Sequence, residues 1–240
     1  MRIHLCGRLV AEVDGRRVEQ LLPGRQGRLL FAYLVLGRHR PLRRDELAGA
    51  LWEDEPPAAA ASALSALLSK LRRLVPLEGR SEVRVVLPTE TWIDVEAVGE
   101  ALHRAEGAVA RRDWHGAWGP ARVAQHIAAR ELLPGETAGW LAPPRRRLAE
   151  AYQRALELAA QACLAIDGSE LPTAERAART LVEVAPYRES GHRLLMEALD
   201  RRGSRAEALR VYDELRRRLR DELGVAPSPA TQELHRALLG

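Results

Sequence analysis

Glu222-Leu-Gly-Val-Ala-Pro-Ser-Pro-Ala-Thr231 follows a run of amphipathic patterns and reads as a helix that stops, turns and restarts. Gly224 suits the left-handed residue that ends a helix, Pro227 and Pro229 forbid continuation, and Ser228 is placed to cap the next helix. Such punctuation acquires weight from what precedes it. Ala174, Ala178 and Leu181 recur 34 residues later as Ala208, Tyr212 and Leu215. A repeated apolar helix face closed by a stop signal predicts stacked helical hairpins.

The spacing is the period of tetratricopeptide hairpins. From about Glu96 onward no strand signal remains, and Gly, Pro or Asp-Gly breaks separate helices expected near 96–111, 114–131, 142–166, 173–185, 189–202, 205–223 and 229–239. Trp114, Ala117, Ala121 and Ala124 follow the same spacing out of 34-residue phase, so an insertion separates them from the later copies. Trp114, Trp118, Tyr152, Tyr187 and Tyr212 are expected as core residues filling gaps left by alanine-rich packing.

The N-terminal part reads differently. Residues Arg2 to Glu19 alternate apolar and polar, with Ile3, Leu5, Leu9, Ala11 and Val13 pointing inward and Asp14-Gly15 making a hairpin turn. Leu29, Leu30, Tyr33 and Leu34, then Leu47, Ala48, Leu51 and Trp52, mark two short amphipathic helices. A third helix, Ala58 to Val75, turns Leu64, Leu67, Leu68, Leu71, Leu74 and Val75 inward and Ser62, Ala66, Ser69 and Arg73 outward, flanked by Ser65 and Lys70. Glu82 to Leu87 and Trp92-Ile-Asp94 are expected to pair around the Pro88–Thr91 turn. The expected fold is therefore mainly α: a winged helix-turn-helix over residues 1–95 and an all-α tetratricopeptide-like domain over residues 96–240.

Composition agrees with two packed domains. The 240 residues are 46% apolar and only 4% aromatic, and Ala, Leu and Arg dominate, a balance that favours helices. The net charge is +4; residues 1–95 hold 15 basic and 12 acidic residues, net +3, so most of the surplus lies there. Cys6 and Cys163 have neither disulfide nor metal spacing, which fits a reducing cytoplasm. No apolar run approaches the roughly 20 residues that span a bilayer, and no membrane association is expected.

Asp45-Glu-Leu47, Leu51-Trp52 and Leu68-Ser-Lys-Leu-Arg-Arg-Leu74 resemble the second and recognition helices of the SARP regulators. Ala185-Pro-Tyr-Arg-Glu-Ser-Gly-His-Arg-Leu-Leu-Met196, Ala206-Glu-Ala-Leu-Arg-Val-Tyr212 and the Glu222 segment resemble the bacterial transcriptional activator domain that follows in that family. The resemblance covers nearly the whole chain. It implies a cytoplasmic transcription regulator that binds promoter DNA, often at repeated sites, contacts RNA polymerase, and is compatible with a homodimer. Two departures fall on DNA-facing elements: Ser62 stands where the family often has Asn, and Glu90-Thr-Trp-Ile93 where the wing usually carries Gly-Tyr.

The charged residues around the helix-turn-helix are the candidate DNA contacts. Arg25, Arg28, Arg43, Arg44, Lys70, Arg72 and Arg73 would neutralise phosphates, while Ser62, Ser65 and Ser69 line the outward face of the third helix. Only Lys70 and Arg73 on that face reach base edges, so sequence readout looks thin. Glu53-Asp54-Glu55, and Glu90 at the expected wing tip, would repel phosphate. The acidic loop is therefore assigned a protein contact, with polymerase the partner that the family resemblance implies. A second reading is a tetratricopeptide-type interaction scaffold whose winged helix no longer reads DNA.

No catalytic or cofactor motif is present: there is no G-x-x-x-x-G-K, no G-x-S-x-G and no dinucleotide fingerprint. Gly24-Arg-Gln-Gly27 reads as a turn and helix start, and the seven His residues show no metal spacing. The expectation is a non-enzyme without cofactor or metal. The chain ends just after a plausible last helix, so a stand-alone protein is the simpler expectation than the front end of a longer regulator.

Overall fold

Alternation at the N-terminus produces a small sheet. β1 (Arg2–His4) pairs antiparallel with β2 (Val10–Val13), Ile3 opposite Ala11, and β2 pairs with β3 (Arg16–Arg17). Asp14 and Gly15 both take positive φ, 49° and 76°, the two-residue turn whose twist matches that of the strands. The chain continues through α1 (Gly24–Leu36), β4 (Leu42–Arg43), α2 (Arg44–Trp52), α3 (Ala60–Leu71), β5 (Leu77–Glu78), β6 (Glu82–Val85) and β7 (Trp92–Ile93). Leu30, Phe31, Leu47, Leu68 and Leu71 are wholly removed from solvent where the three helices meet.

The computed structural model describes residues 1–53 and 55–240. They divide into two units, residues 1–97 with 130–148 and residues 98–129 with 149–240.

Two expectations about the first unit are corrected. The hairpin across Pro88–Thr91 does not form: β6 pairs with β5 and β4, and β7 lies parallel to β1, giving sheet orders β4-β6-β5 and β3-β2-β1-β7. This arrangement buries Val83 and Val85 on one sheet and Ile93 beside Ile3 on the other. A two-residue strand carries too little pattern to announce its partner. The wing is thus the β5–β6 hairpin, and Arg80, not Glu90, lies in its turn. Gly79 opens that turn at φ +83°, where an added Cβ would meet the Glu82 carbonyl oxygen at 1.8 Å. The third helix is also shorter than Ala58–Val75: it ends at Leu71, leaving Arg72 as its cap and Arg73 in the following turn.

Residues 130–148 complete the first unit. Leu133 N–H donates to the Leu5 carbonyl (2.9 Å) and Gly7 N–H to that of Glu131 (2.7 Å). The Trp140 indole packs edge-on against Tyr33 and donates to the Ala50 carbonyl (3.0 Å). Asp94 is almost fully buried, and its carboxylate accepts from the backbone N–H of Leu5, Cys6 and Val95 at 2.8–2.9 Å. Burial pushes its pKa up, and these three donors hold the rise in check.

Helices follow at the expected places: α4 (Asp94–Ala110), α5 (Trp114–Ala128), α6 (Ala142–Ile166), α7 (Leu171–Val184), α8 (Glu189–Arg201), α9 (Arg205–Arg218) and α10 (Pro229–Leu239). Residues 94–97 of α4 and 142–148 of α6 belong to the first unit. In the second unit all six repeat positions, Ala174, Ala178, Leu181, Ala208, Tyr212 and Leu215, are buried. Gly191 lets α8 approach α7, since a Cβ there would stand 3.0 Å from Leu181. α9 runs on into a wide π-type turn, Leu219–Leu223, that Gly224 ends at φ +68°.

Ser228 is the N-cap residue of α10 as expected, but its side chain turns away from the helix N–H groups. Its hydroxyl and N–H both donate to Glu189, at 2.7 Å and 2.9 Å, and the same carboxylate accepts from the fully buried Thr231 hydroxyl at 2.5 Å. The terminal helix is therefore clamped to the start of α8. Trp118 and Tyr187 are exposed at 38% and 48%, contrary to their expected place in the core, whereas Tyr212 is buried and stacks on His235. Tyr187 lies in the turn between α7 and α8 and donates its hydroxyl to Glu222, while the inward row of α5 is Ala117, Ala121 and Ala124, which leaves Trp118 beside it toward solvent.

Candidate nucleic-acid interface

The outer side of α3 is built by helical spacing. Leu64, Leu68 and Leu71 are buried, so Ala61, Ser62, Ser65, Ala66, Ser69 and Lys70 form two adjacent exposed rows. Ser62, Ser69, Lys70 and Arg73 have no hydrogen-bond or ion-pair partner among the described residues. Ser65 is already engaged: its hydroxyl donates to the Ala61 carbonyl (2.8 Å) and accepts from Arg44 (2.6 Å).

Arg44, first residue of α2, reaches two other elements at once. Besides Ser65 it approaches the carbonyls of Ala61 and Arg80, each at 3.5 Å, so the start of α2, the side of α3 and the wing turn converge. Arg72 closes the other side by donating to the Gly79 carbonyl (2.6 Å). Arg43 stands on β4 opposite Glu82 and is chelated by Asp45 at 2.5 and 3.0 Å, a pairing that holds Asp45 below the usual carboxylate range. Arg80 was missed by the sequence reading because the wing was assigned to the wrong strands. Its exposed side chain has no partner among the described residues, and the gly-turn preceding the second wing strand was the available signal.

Arg25 and Arg28 make no contact with α2, α3 or the wing among the described residues. They sit at the start of α1, whereas its other end touches Leu42 of β4 through Gly37, on the order of 15 Å along the helix at about 1.5 Å per residue. Arg25 pairs with Glu136 (2.6 Å); Arg28 lines a separate cleft. In the acidic loop, Glu53 takes φ +48° and accepts from Gly139 N–H (2.5 Å), Glu55 is exposed, and Asp54 lies outside the described residues. Glu46 is held below the usual carboxylate range by Arg40 and by the Tyr33 hydroxyl, which donates to it at 2.9 Å.

Chemically the face offers ammonium and guanidinium donors at its margins and small side chains in its middle. Phosphates suit the first and thymine methyls or single hydrogen bonds the second. Among the described residues no group of His, Cys, Asp or Glu could hold a metal ion, and no helix is long and apolar enough to cross a membrane.

A helix-turn-helix with a β5–β6 wing, continued by antiparallel helical hairpins, defines the architecture of the SARP-type transcriptional regulators. Residues 93–239 match the bacterial transcriptional activator domain, and the chain belongs to that family. It is 36% identical over its whole length to the regulatory protein AfsR of Streptomyces coelicolor, of which it spans 24%. It is 27% identical to the regulatory protein DnrI of Streptomyces peucetius, covering all of this chain and 92% of that one. The structure of Mycobacterium tuberculosis EmbR, solved with a low-affinity phosphopeptide, superposes with a TM-score of 0.84 at 25% identity, covering 99% of this chain and 64% of EmbR. The chain thus spans about a quarter of AfsR and under two thirds of EmbR.

Proposed function

We propose that the protein is a cytoplasmic, DNA-binding transcriptional regulator, an activator by its family, whose winged helix docks promoter duplex and whose helical array makes protein contacts. The observation that carries this reading is the convergence of α2, α3 and the wing around Arg44, which sets Lys70, Arg73 and Arg80 at the margins of one exposed surface without partners among the described residues. Arg43, Arg44 and Arg72 serve there chiefly as phosphate donors that can exchange a present partner for a phosphate oxygen. Ser62, Ser65 and Ser69 meet base edges or phosphate. RNA polymerase and a second protomer are the partners proposed for the array and for the exposed Glu53 and Glu55. This is a binding protein, not an enzyme.

The test is selection of random duplexes by the full chain at about 50 and 200 mM salt, the range over which phosphate-driven affinity changes most. An enriched, repeated sequence at both concentrations supports a specific regulator. Retention at low salt without a motif, or no retention, overturns specific recognition by this chain.

A further inference from the structure

We propose that the first unit holds a site for a small organic dianion, a phosphate monoester or a dicarboxylate, in a cleft lined by no residue of α2, α3 or the wing. The site is a cleft of about 530 Å³ between the turn after β1, the start of α1 and the loop at residues 133–136. That is within the range of roughly 300–1,000 Å³ occupied by small-molecule sites.

Its charge is unbalanced. Glu19 and Glu136 both line it, but Glu19 is neutralised by Arg17 at 2.6 Å and Glu136 by Arg25 at 2.6 Å. Arg8 and Arg28 also line it, exposed and with no partner among the described residues. Two uncompensated guanidiniums facing one cavity call for a doubly charged anion, which a planar fork can bind through paired N–H donors. Leu29, Leu133 and Pro134 supply an apolar surface for the body of the ligand.

The wall is fixed before any ligand arrives. Leu133 holds φ +45°, a conformation that a branched side chain adopts only when its surroundings impose it. Here the half-buried Arg145 imposes it, donating to the carbonyls of Leu132, Leu133 and Glu136 at 2.8–3.0 Å. Leu133 N–H is in turn tied to the carbonyl of Leu5, just after β1. A loop held by so many bonds forms a surface that keeps its shape, which reduces the ordering cost of binding. Neither DNA recognition nor the fold requires Arg8 and Arg28 to face the same cleft.

The experiment is calorimetric titration of the full chain with phenyl phosphate, adenosine monophosphate and succinate, with inorganic sulfate as reference. Saturable one-to-one binding of an organic dianion, at least about tenfold tighter than sulfate, is expected, with an Arg8→Ala/Arg28→Ala variant weakened by about tenfold per guanidinium lost. Whether the esters or succinate bind distinguishes phosphate from carboxylate recognition. Arg73→Ala, on the other face, should bind the dianion as the parent does, and matching melting curves for all three proteins exclude loss of folding as the cause. No organic dianion binding better than sulfate, equal binding by the double variant, or equal loss in Arg73→Ala overturns the proposal.

Discussion

The outer face of α3 and the seam between α7 and α9 are both rich in charge, but they dispose of it differently. On the seam, Arg179 bridges Glu175 and Glu207 at 2.9 Å each, and Arg202 joins Glu175 from the end of α8. On α3 and the turns beside it, Lys70, Arg73 and Arg80 face solvent without partners among the described residues. Charges that satisfy one another inside a unit tune its stability slightly, while charges left unmatched on a preformed surface await a partner. The contrast can be tested, because removing the two kinds of group should affect different observables.

The largest effect is expected at the array's internal clamp. Glu189→Ala leaves Ser228 N–H and the buried Thr231 hydroxyl without their acceptor and should destabilise the second unit by about 3 kcal/mol, the penalty for unpaired buried polar groups. Urea denaturation measures it, and amide exchange should show α10 opening first. The clamp also titrates. Burial alone would raise the Glu189 pKa, but the hydroxyls of Thr231 and Ser228 and the Ser228 N–H bring it below the ordinary glutamate range. A carboxylate depressed on folding stabilises fully above its unfolded pKa and loses that contribution as pH falls toward the lower folded value. Acid-induced weakening of α10 should therefore begin near the ordinary glutamate range and be absent in Glu189→Gln.

Next comes the face of α3. Lys70→Ala with Arg73→Ala should lower duplex affinity by roughly a hundredfold at about 100 mM salt and reduce the salt slope by about 2, with an unchanged melting temperature. Unaltered affinity in anisotropy titrations would remove these residues from the interface. Gly79→Ala probes the wing, whose turn has no room for a Cβ; it should cost about 1–2 kcal/mol and weaken duplex binding by disordering Arg80. If affinity survives while stability falls, the wing does not touch the duplex. The smallest change is expected for Arg179→Ala on the seam, below about 1 kcal/mol, because that side chain is 44% exposed and solvent screens its pairs. A larger loss there would break the distinction between the two faces.

The array was legible because its helices are long and periodic. In α7, α8 and α9, thirteen or fourteen residues give several turns over which Ala, Leu and Tyr return to the same side, so the repeat positions and helix bounds could be placed from spacing alone. The inward and outward sides of α3 were legible for the same reason. The wing was not, since β5, β6 and β7 are two to four residues long and their partners are chosen by burial of Val83, Val85 and Ile93. The aromatic positions misled in another way. Tyr187 sits in a turn with its hydroxyl on Glu222, and Trp118 stands beside the buried row Ala117, Ala121 and Ala124, so neither ring lies on an inward face.

By itself, then, the sequence determined the two kinds of architecture, the register of the hairpins, the stop at Gly224 and the exposed rows of α3, all set by contacts among residues close along the chain. Tertiary structure alone decided which strand forms the wing, that residues 130–148 complete the first unit, and that Arg25 pairs with Glu136 while Arg28 lines a cleft with residues 133–136. Those outcomes depend on pairings between distant segments, such as Leu133 with Leu5 or Trp140 with Ala50. Local periodicity carries no record of such partners, because what selects them is the burial and hydrogen bonding available only once the whole unit has closed.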